Sequence, residues 1–361
     1  MTDAELRCPA CGAPIAGTDT FCEACGAQVA AGEAAPDPAA DTAAKTTVVP
    51  DTSAGGVCEH CGGEILDDGF CGTCGQKARS PRDHWSEQPA PWVGGVCDKG
   101  VVHPANEDAM ALAADPDGGF AVVVVCDGVT SAPHSDRAAM AAARAACGLL
   151  SGVPAPATGG VAATISYWTS ALEKATSEAN GAAVGVAHTL GDPAEPPSCT
   201  FVAAVVADAV ITVAWCGDSR AYWLPDTGDA RQLTVDHSLG TALLAAGEPR
   251  EQAEADPAFH TITRWLGADS VEHSAEFVSQ TIDSPGWLLV CSDGLWNYAS
   301  VLDEMVALVA DKSATSNGDP VQLAEALVAW ANAAGGHDNV TAALARCSPP
   351  VLLQGEGTSR G

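Results

Sequence analysis

Apolar residues in this chain gather in short runs that stop abruptly. FAVVVVC (120–126) runs into Asp127-Gly128, and WLLVC (287–291) runs into Ser292-Asp293-Gly294. Runs of this length bounded by turn residues predict strands buried on both faces. The longest apolar block, CTFVAAVVADAVITVAWC (199–216), is interrupted by Asp208. It predicts two core strands, about 199–206 and 209–216, joined by a tight turn at Ala207-Asp208, rather than a membrane span. Further strands are predicted near 219–224, 230–234 and 339–346.

Helical spacing marks other stretches. SDRAAMAAARAACGLLS (135–151) is alanine-rich and opens on Ser135-Asp136, which are expected to cap a helix. Residues 161–181 place Tyr167, Trp168, Leu172 and Ala175 on one helical stripe, the pattern of a core-facing side. Two more helices are predicted at 301–311 and 320–334. Strands do not alternate regularly with helices, so a doubly wound parallel sheet is disfavoured. Antiparallel sheets with helix pairs outside, the α+β class, are expected.

The chain before Trp92 is organised differently. Cys8-Pro-Ala-Cys11 and Cys22-Glu-Ala-Cys25 form one set, and Cys58-Glu-His-Cys61 and Cys71-Gly-Thr-Cys74 a second. A glycine follows each pair at once (Gly12, Gly26, Gly62, Gly75). A CxxC turn brings two thiolates to one metal, and two such turns complete a tetrahedral four-sulfur shell for Zn2+. Each set supplies all four ligands, so two structural zinc ions with no open position are expected. The metal supplies the folding energy of units too small for a core. Together the sets look like a double zinc ribbon serving as a docking surface. The expected domains are 1–29 (first ribbon), 30–56 (flexible linker rich in Ala, Pro, Asp and Thr) and 57–77 (second ribbon). A second linker spans 78–91, the main domain 92–347 and a C-terminal tail 348–361.

Charge narrows the partners. Among 361 residues, 46 are Asp or Glu and 16 are Lys or Arg, a formal net charge of −30. Such a field repels nucleic-acid phosphates and favours cations. The N-terminus, MTDAELRCPACG, lacks a basic region followed by an apolar run, so a cytoplasmic protein without a membrane partner is expected. Cys97, Cys126, Cys147, Cys199, Cys216, Cys291 and Cys347 stand alone and are expected to be buried thiols.

Five carboxylates stand at strand ends or in turns: Asp108, Asp127, Asp218, Asp293 and Asp338. A carboxylate at the end of a buried strand is costly unless a cation meets it. Oxygen donors of this kind, without a histidine cluster, suit hard divalent metals.

The order of motifs resembles the protein phosphatase 2C family of metal-dependent Ser/Thr phosphatases. Asp98-x-Gly100, Asn106-Glu107-Asp108, Asp127-Gly128, GDSRAY (217–222), LTVDHS (233–238), ITRWLG (262–267), CSDGLW (291–296) and HDNVT (337–341) occur in the family's order. The resemblance implies a four-layer αββα sandwich with two Mn2+ or Mg2+ ions at one end. By position, Asp127 would bridge the metals, the Gly128 carbonyl would bind one, and Asp293 and Asp338 would complete the inner set. Glu107 and Asp108 would hold metal-bound waters, Asn339 would orient its loop, and Asp218 matches a ligand of a weaker third metal. His103 stands where many relatives have a phosphate-gripping Arg. Val129 replaces a histidine of animal relatives, and Asn297 replaces an aspartate of some relatives. The implied reaction is hydrolysis of phospho-Ser and phospho-Thr in proteins by a metal-activated water, with a Ser/Thr protein kinase as natural counterpart. The alternative is a catalytically weak adaptor working through its zinc ribbons.

Overall fold

The computed structural model describes residues 57–349, except 59, 67, 68, 77, 79 and 154–159, and does not describe the side chain of Glu254. The first cysteine set, the 30–56 linker and nearly all of the C-terminal tail lie outside the described residues. In chain order the strands are β1 His84–Ala90, β2 Val93–Asp98, β3 Ala109–Ala114, β4 Phe120–Cys126, β5 Ser198–Cys199, β6 Phe201–Ala207, β7 Val210–Cys216, β8 Arg220–Pro225, β9 Arg231–Gln232, β10 Leu266–Gly267, β11 Glu276–Thr281, β12 Gly286–Cys291 and β13 Val340–Cys347. The helices are α1 Ser135–Gly152, α2 Gly160–Thr189, α3 Leu239–Ala245, α4 Arg250–Glu254, α5 Asp293–Trp296, α6 Leu302–Ser313 and α7 Pro320–Ala334.

Strands β1-β2-β13-β12-β8-β9 form one sheet and β11-β7-β6-β4-β3 a second, with β10-β5 as a short extra pair. Every strand pairing is antiparallel. Alternation along β4 explains its valine run. Val123 and Val125 face the other sheet, in a core with Val93, Val213, Leu288 and Val290. Val122, Val124 and Cys126 face α1 and α2, beside Ala142, Ala146, Trp168 and Leu172. On the far side, Leu289 and Cys291 of β12 meet Leu323, Leu327 and Met305 of α6 and α7. The four layers are therefore helices, sheet, sheet, helices. Fully burying a valine contributes roughly 1.5–3 kcal/mol. The four valines of β4 thus outweigh the several kcal/mol that an unpaired carboxylate at the strand's end costs.

Three details differ from the sequence expectation. Residues 84–90, read as linker, form the edge strand β1, paired with β2 from His84↔Asp98 to Ala90↔Val93. Trp85 and Ala90 anchor it in the core while the residues between stay polar, and Pro89 is tolerated on an edge. Helix α2 runs to Thr189, beyond the expected 181, because Ala183 and Ala187 continue its buried stripe past Gly181 and Gly185. Ser135 does not cap α1: the position before the helix is His134, in the left-handed region at φ 65°. The turn between β6 and β7 places Asp208 and Ala209 at φ 49° and 59°, a hairpin geometry suited to the sheet's twist. Among the described residues no helix is long and apolar enough to cross a membrane.

Candidate metal centre

Asp127 and Asp293 leave the ends of two strands that lie in different sheets, β4 and β12. Face-to-face stacking brings both ends to one edge of the sandwich. There the Asp127 and Asp293 carboxyls come close enough to perturb one another's ionisation. Asp338 reaches the same place from the turn before β13: a Cβ on Gly294 would collide with the carbonyl of Asn339, so only glycine lets α5 approach this turn. On the other side, a Cβ on Gly128 would stand 2.7 Å from the Glu107 carbonyl oxygen, so Asp127-Gly128 packs directly on the loop of Glu107 and Asp108.

Short-range hydrogen bonds hold these groups in place. The Asp127 N–H donates to Thr200 Oγ1 at 3.0 Å, and its carbonyl accepts the Thr200 N–H at 2.8 Å. Asp108 is fully buried, and its Oδ2 accepts from Ser292 Oγ and Thr341 Oγ1, both at 2.7 Å. Glu107 Oε1 accepts from Ser135 Oγ at 2.7 Å, which is why Ser135 is unavailable as a cap. Asn339 accepts the Glu107 N–H at 2.7 Å and donates to the carbonyls of Lys99 and Ala105, both at 2.8 Å. Asn297 Nδ2 donates to Asp293 Oδ2 at 3.0 Å. Trp296 Nε1 donates to the Asp218 carbonyl at 3.0 Å.

His103 is directed at Glu107. Its Nδ1 bonds the Ala105 carbonyl at 2.7 Å, and its Nε2 lies 3.6 Å from Glu107 Oε2. Ser135, Thr200, Ser292 and Thr341 position the acids, yet the sequence reading missed all four. Isolated hydroxyl residues carry no spacing signal. Ser292 stands beside Asp293 in the CSDGLW motif, and that adjacency was the one available hint.

The electrostatics are those of crowded like charges. Burial, then Asp108, Asp293, Asp338 and Asp218, push the Asp127 carboxyl well above its usual range. Burial and then Asp293 do the same to Asp218. Burial raises Asp108 to about 7, against the pull of Ser292 and Thr341. Asp293 rises to about 6 through burial and then Asp338. Among the described residues, no Lys, Arg or His makes an ion pair with Asp108, Asp127, Asp218, Asp293 or Asp338. Asp108 Oδ1, Asp293 Oδ1 and Glu107 Oε2 are buried without a hydrogen-bond partner. The orphaned oxygens of Asp108 and Asp293, with which no described Lys, Arg or His pairs, fit hard divalent cations. A cavity of about 520 Å3 lies alongside, lined by Asp218, Arg220, Asp236, His260, Trp296 and Asn297 among others.

The second cysteine set forms a separate cluster. The Sγ atoms of Cys58, Cys61, Cys71 and Cys74 all lie within 4.8 Å of one another. Each pair sits in the same knuckle: Cys58 O accepts from Gly62 N, and Cys71 O from Gly75 N, with both glycines at φ 73°. Hydrogen bonding to backbone, first from Cys74, holds Cys71 at about 6, so its thiolate is favoured. Cys58, Ile65 and Cys71 are the buried residues of this unit.

The profile of the protein phosphatase 2C family matches residues 103–332. The chain belongs to the protein phosphatase 2C family. The profile of the double zinc ribbon matches residues 8–75. The phosphatase is 34% identical to the serine/threonine phosphatase stp of Listeria welshimeri over 251 residues, covering 68% of this chain and 92% of that protein. Its fold matches the crystal structure of the serine/threonine phosphatase Stp1 from Staphylococcus aureus at a TM-score of 0.58 and 23% identity, over 71% of this chain and 94% of the other. It also matches the catalytic domain of the serine/threonine protein phosphatase PstP in complex with two manganese ions (TM-score 0.53, 23% identity, 73% and 97% covered). These two likenesses carry the fold.

Proposed function

We propose that this phosphatase hydrolyses phospho-Ser and phospho-Thr in proteins with a water activated between two Mn2+ or Mg2+ ions. One observation carries this reading: a cluster of buried and half-buried carboxylates in which Asp108, Asp293 and Glu107 each keep a buried oxygen without a hydrogen-bond partner. Asp127, Asp293, Asp338 and the Gly128 carbonyl would hold the two ions, with Glu107 and Asp108 holding their waters. Asp218 would serve a third, weaker position, where Asn297 beside Asp293 supplies no charge. When bound, the cations supply a water of lowered pKa and neutralise charge on the phosphoryl oxygens.

The chain's own residues do the positioning. Thr200 fixes the backbone on both sides of Asp127, so that carboxylate enters the site from a rigid strand end. Ser292 and Thr341 tie one oxygen of Asp108 and leave Oδ1 to a ligand. His103 stands next to Glu107 and would offer a ring N–H to a substrate phosphate. An unchanged KM in His103→Ala would refute this role. No cysteine or serine nucleophile is needed, consistent with the burial of all seven isolated cysteines. The zinc ribbons, with one Zn2+ per cysteine set, are assigned to docking. The cellular setting is cytoplasmic, with a Ser/Thr protein kinase as counterpart.

The test is turnover of p-nitrophenyl phosphate and a phosphothreonine peptide with and without Mn2+. Turnover that requires Mn2+ and is lost in Asp293→Asn is expected. No turnover at any Mn2+ concentration would favour the adaptor reading instead.

A further inference from the structure

The stretch between the second cysteine set and β1 is tied at both ends. At the cysteine end, Ala78 packs on the Cys58–Ile65–Cys71 cluster, and its N–H donates to the Gly69 carbonyl at 2.7 Å. Three residues separate Ala78 from Arg82. Within them, Ser80 accepts the Arg82 N–H through its side chain at 3.2 Å and the Asp83 N–H through its carbonyl at 2.8 Å, so the chain turns tightly. At the other end, Arg82 Nη2 donates to the carbonyls of Asn106 and Asp108 at 3.3 and 3.1 Å. Asn106 Nδ2 returns a bond to the Arg82 carbonyl at 2.8 Å. The Asp83 carbonyl accepts the Lys99 N–H at 2.7 Å, and His84 Nδ1 lies 2.7 Å from Asp98 Oδ2. The connection is thus short, and it grips the β2–β3 segment at both of its ends.

We propose that Arg82 is a positioning residue: it fixes the loop of Glu107 and Asp108 from beneath, and through it the second cysteine set governs the affinity of the acidic centre for its cations. The physical basis is geometric. A guanidinium presents several N–H donors in a rigid fork, so one group can hold two carbonyls of a loop at once. Those two carbonyls flank Glu107 and include that of Asp108, so their placement sets where both carboxylates point. Groups that orient a metal's ligands typically change its affinity by about 10- to 100-fold. The inference rests on the two-cation reading given above. It adds a route from the cysteine set to the centre that runs through a segment outside the matched phosphatase region at 103–332.

The experiment uses the full chain and direct Mn2+ binding, by calorimetry and by the electron-spin signal of free Mn2+. Arg82→Ala should raise the Mn2+ Kd about tenfold. Its zinc content and its turnover at saturating Mn2+ should stay near those of the parent. Arg82→Lys, which keeps N–H donors on a single nitrogen but on a shorter stem, should fall between, and it carries the comparison if Arg82→Ala does not fold. Cys71→Ser should weaken Mn2+ binding similarly, and the double variant no more than either single one. An Arg82→Ala protein with a Kd within twofold of the parent overturns the positioning role. A Cys71→Ser protein that binds Mn2+ like the parent overturns the coupling to the cysteine set. A parent that binds no Mn2+ overturns the two-cation reading and this inference with it.

Discussion

The side-chain oxygen of Asn339 accepts the backbone N–H of Glu107 at 2.7 Å, joining the turn before β13 to the loop before β3. The same side chain donates to Lys99 and Ala105, so one buried amide holds three backbone groups of the connection between β2 and β3. Asn339→Ala should strand the Glu107 N–H and the Lys99 carbonyl, while the Ala105 carbonyl keeps His103 Nδ1, costing about 2–4 kcal/mol. Urea unfolding should show this as a lower midpoint, and Mn2+ binding should weaken. Asn339→Asp, which keeps the acceptor but loses both donors, should be nearly as damaging; an unchanged midpoint in either variant contradicts the assignment.

Asp127 repels four other acids in the metal-free protein. Asp127→Asn removes that repulsion and the centre's expected bridging ligand together. The metal-free variant should melt about 2–4 °C above the metal-free parent, the shift that about 1 kcal/mol produces in a domain of this size. Adding Mn2+ should raise the parent's melting temperature by mass action and leave that of the variant unchanged. Calorimetric scans with and without Mn2+ give the comparison, and an equal Mn2+ shift in both proteins would count against the bridging role.

Arg220 and Asp236 form a buried pair of two side chains less than a tenth exposed, 2.7 Å apart. The guanidinium also stacks 3.6 Å over the Trp296 ring, whose Nε1 holds the Asp218 carbonyl. Asp236→Ala strands a buried charge and should destabilise the protein by about 3–5 kcal/mol. Replacing both partners with apolar residues should recover much of the loss. A double-mutant cycle in urea checks this, and additive losses would indicate that the pair is not coupled.

Glu87 on β1 accepts the Leu112 N–H at 2.9 Å, and burial raises its carboxyl to about 7 from the model-compound value of 4.5. The folded state binds this proton more tightly than the unfolded state. Its stabilisation is therefore fully present below pH 4.5 and is lost as pH rises through about 7. A rise of this size corresponds to on the order of 3 kcal/mol. Glu87→Gln should flatten that part of the stability profile. Urea midpoints at pH 5 and pH 8 for both proteins measure it, and an identical slope in the variant would rule out Glu87 as the source.

Much of the acidic site was readable along the chain. Apolar runs ending in Asp127 and Asp293 mark strand tips, and the cysteine pairs with their trailing glycines mark the knuckles that bring four sulfurs within 4.8 Å. These signals are local: they depend on spacing of a few residues, and side-chain chemistry alone gives them meaning. The partners of the acids were not readable. Ser292 and Thr341 meet Asp108 across 184 and 233 residues, and Asn339 meets Glu107 across 232. No periodicity encodes such pairs, because stacking of the two sheets decides which loops share an edge.

The same distinction separates β4 from β1. FAVVVVC determines a strand by itself, since only burial on both faces accommodates it. HWSEQPA is polar at most positions and becomes a strand only because β2 offers it an open edge and the core accepts Trp85 and Ala90. The sequence by itself determined the carboxylate tips, the thiolate knuckles and the amphipathic helices. Tertiary structure decided what each acid is held by, how far α2 extends and where Arg82 reaches, because those depend on contacts that exist only once distant segments have packed.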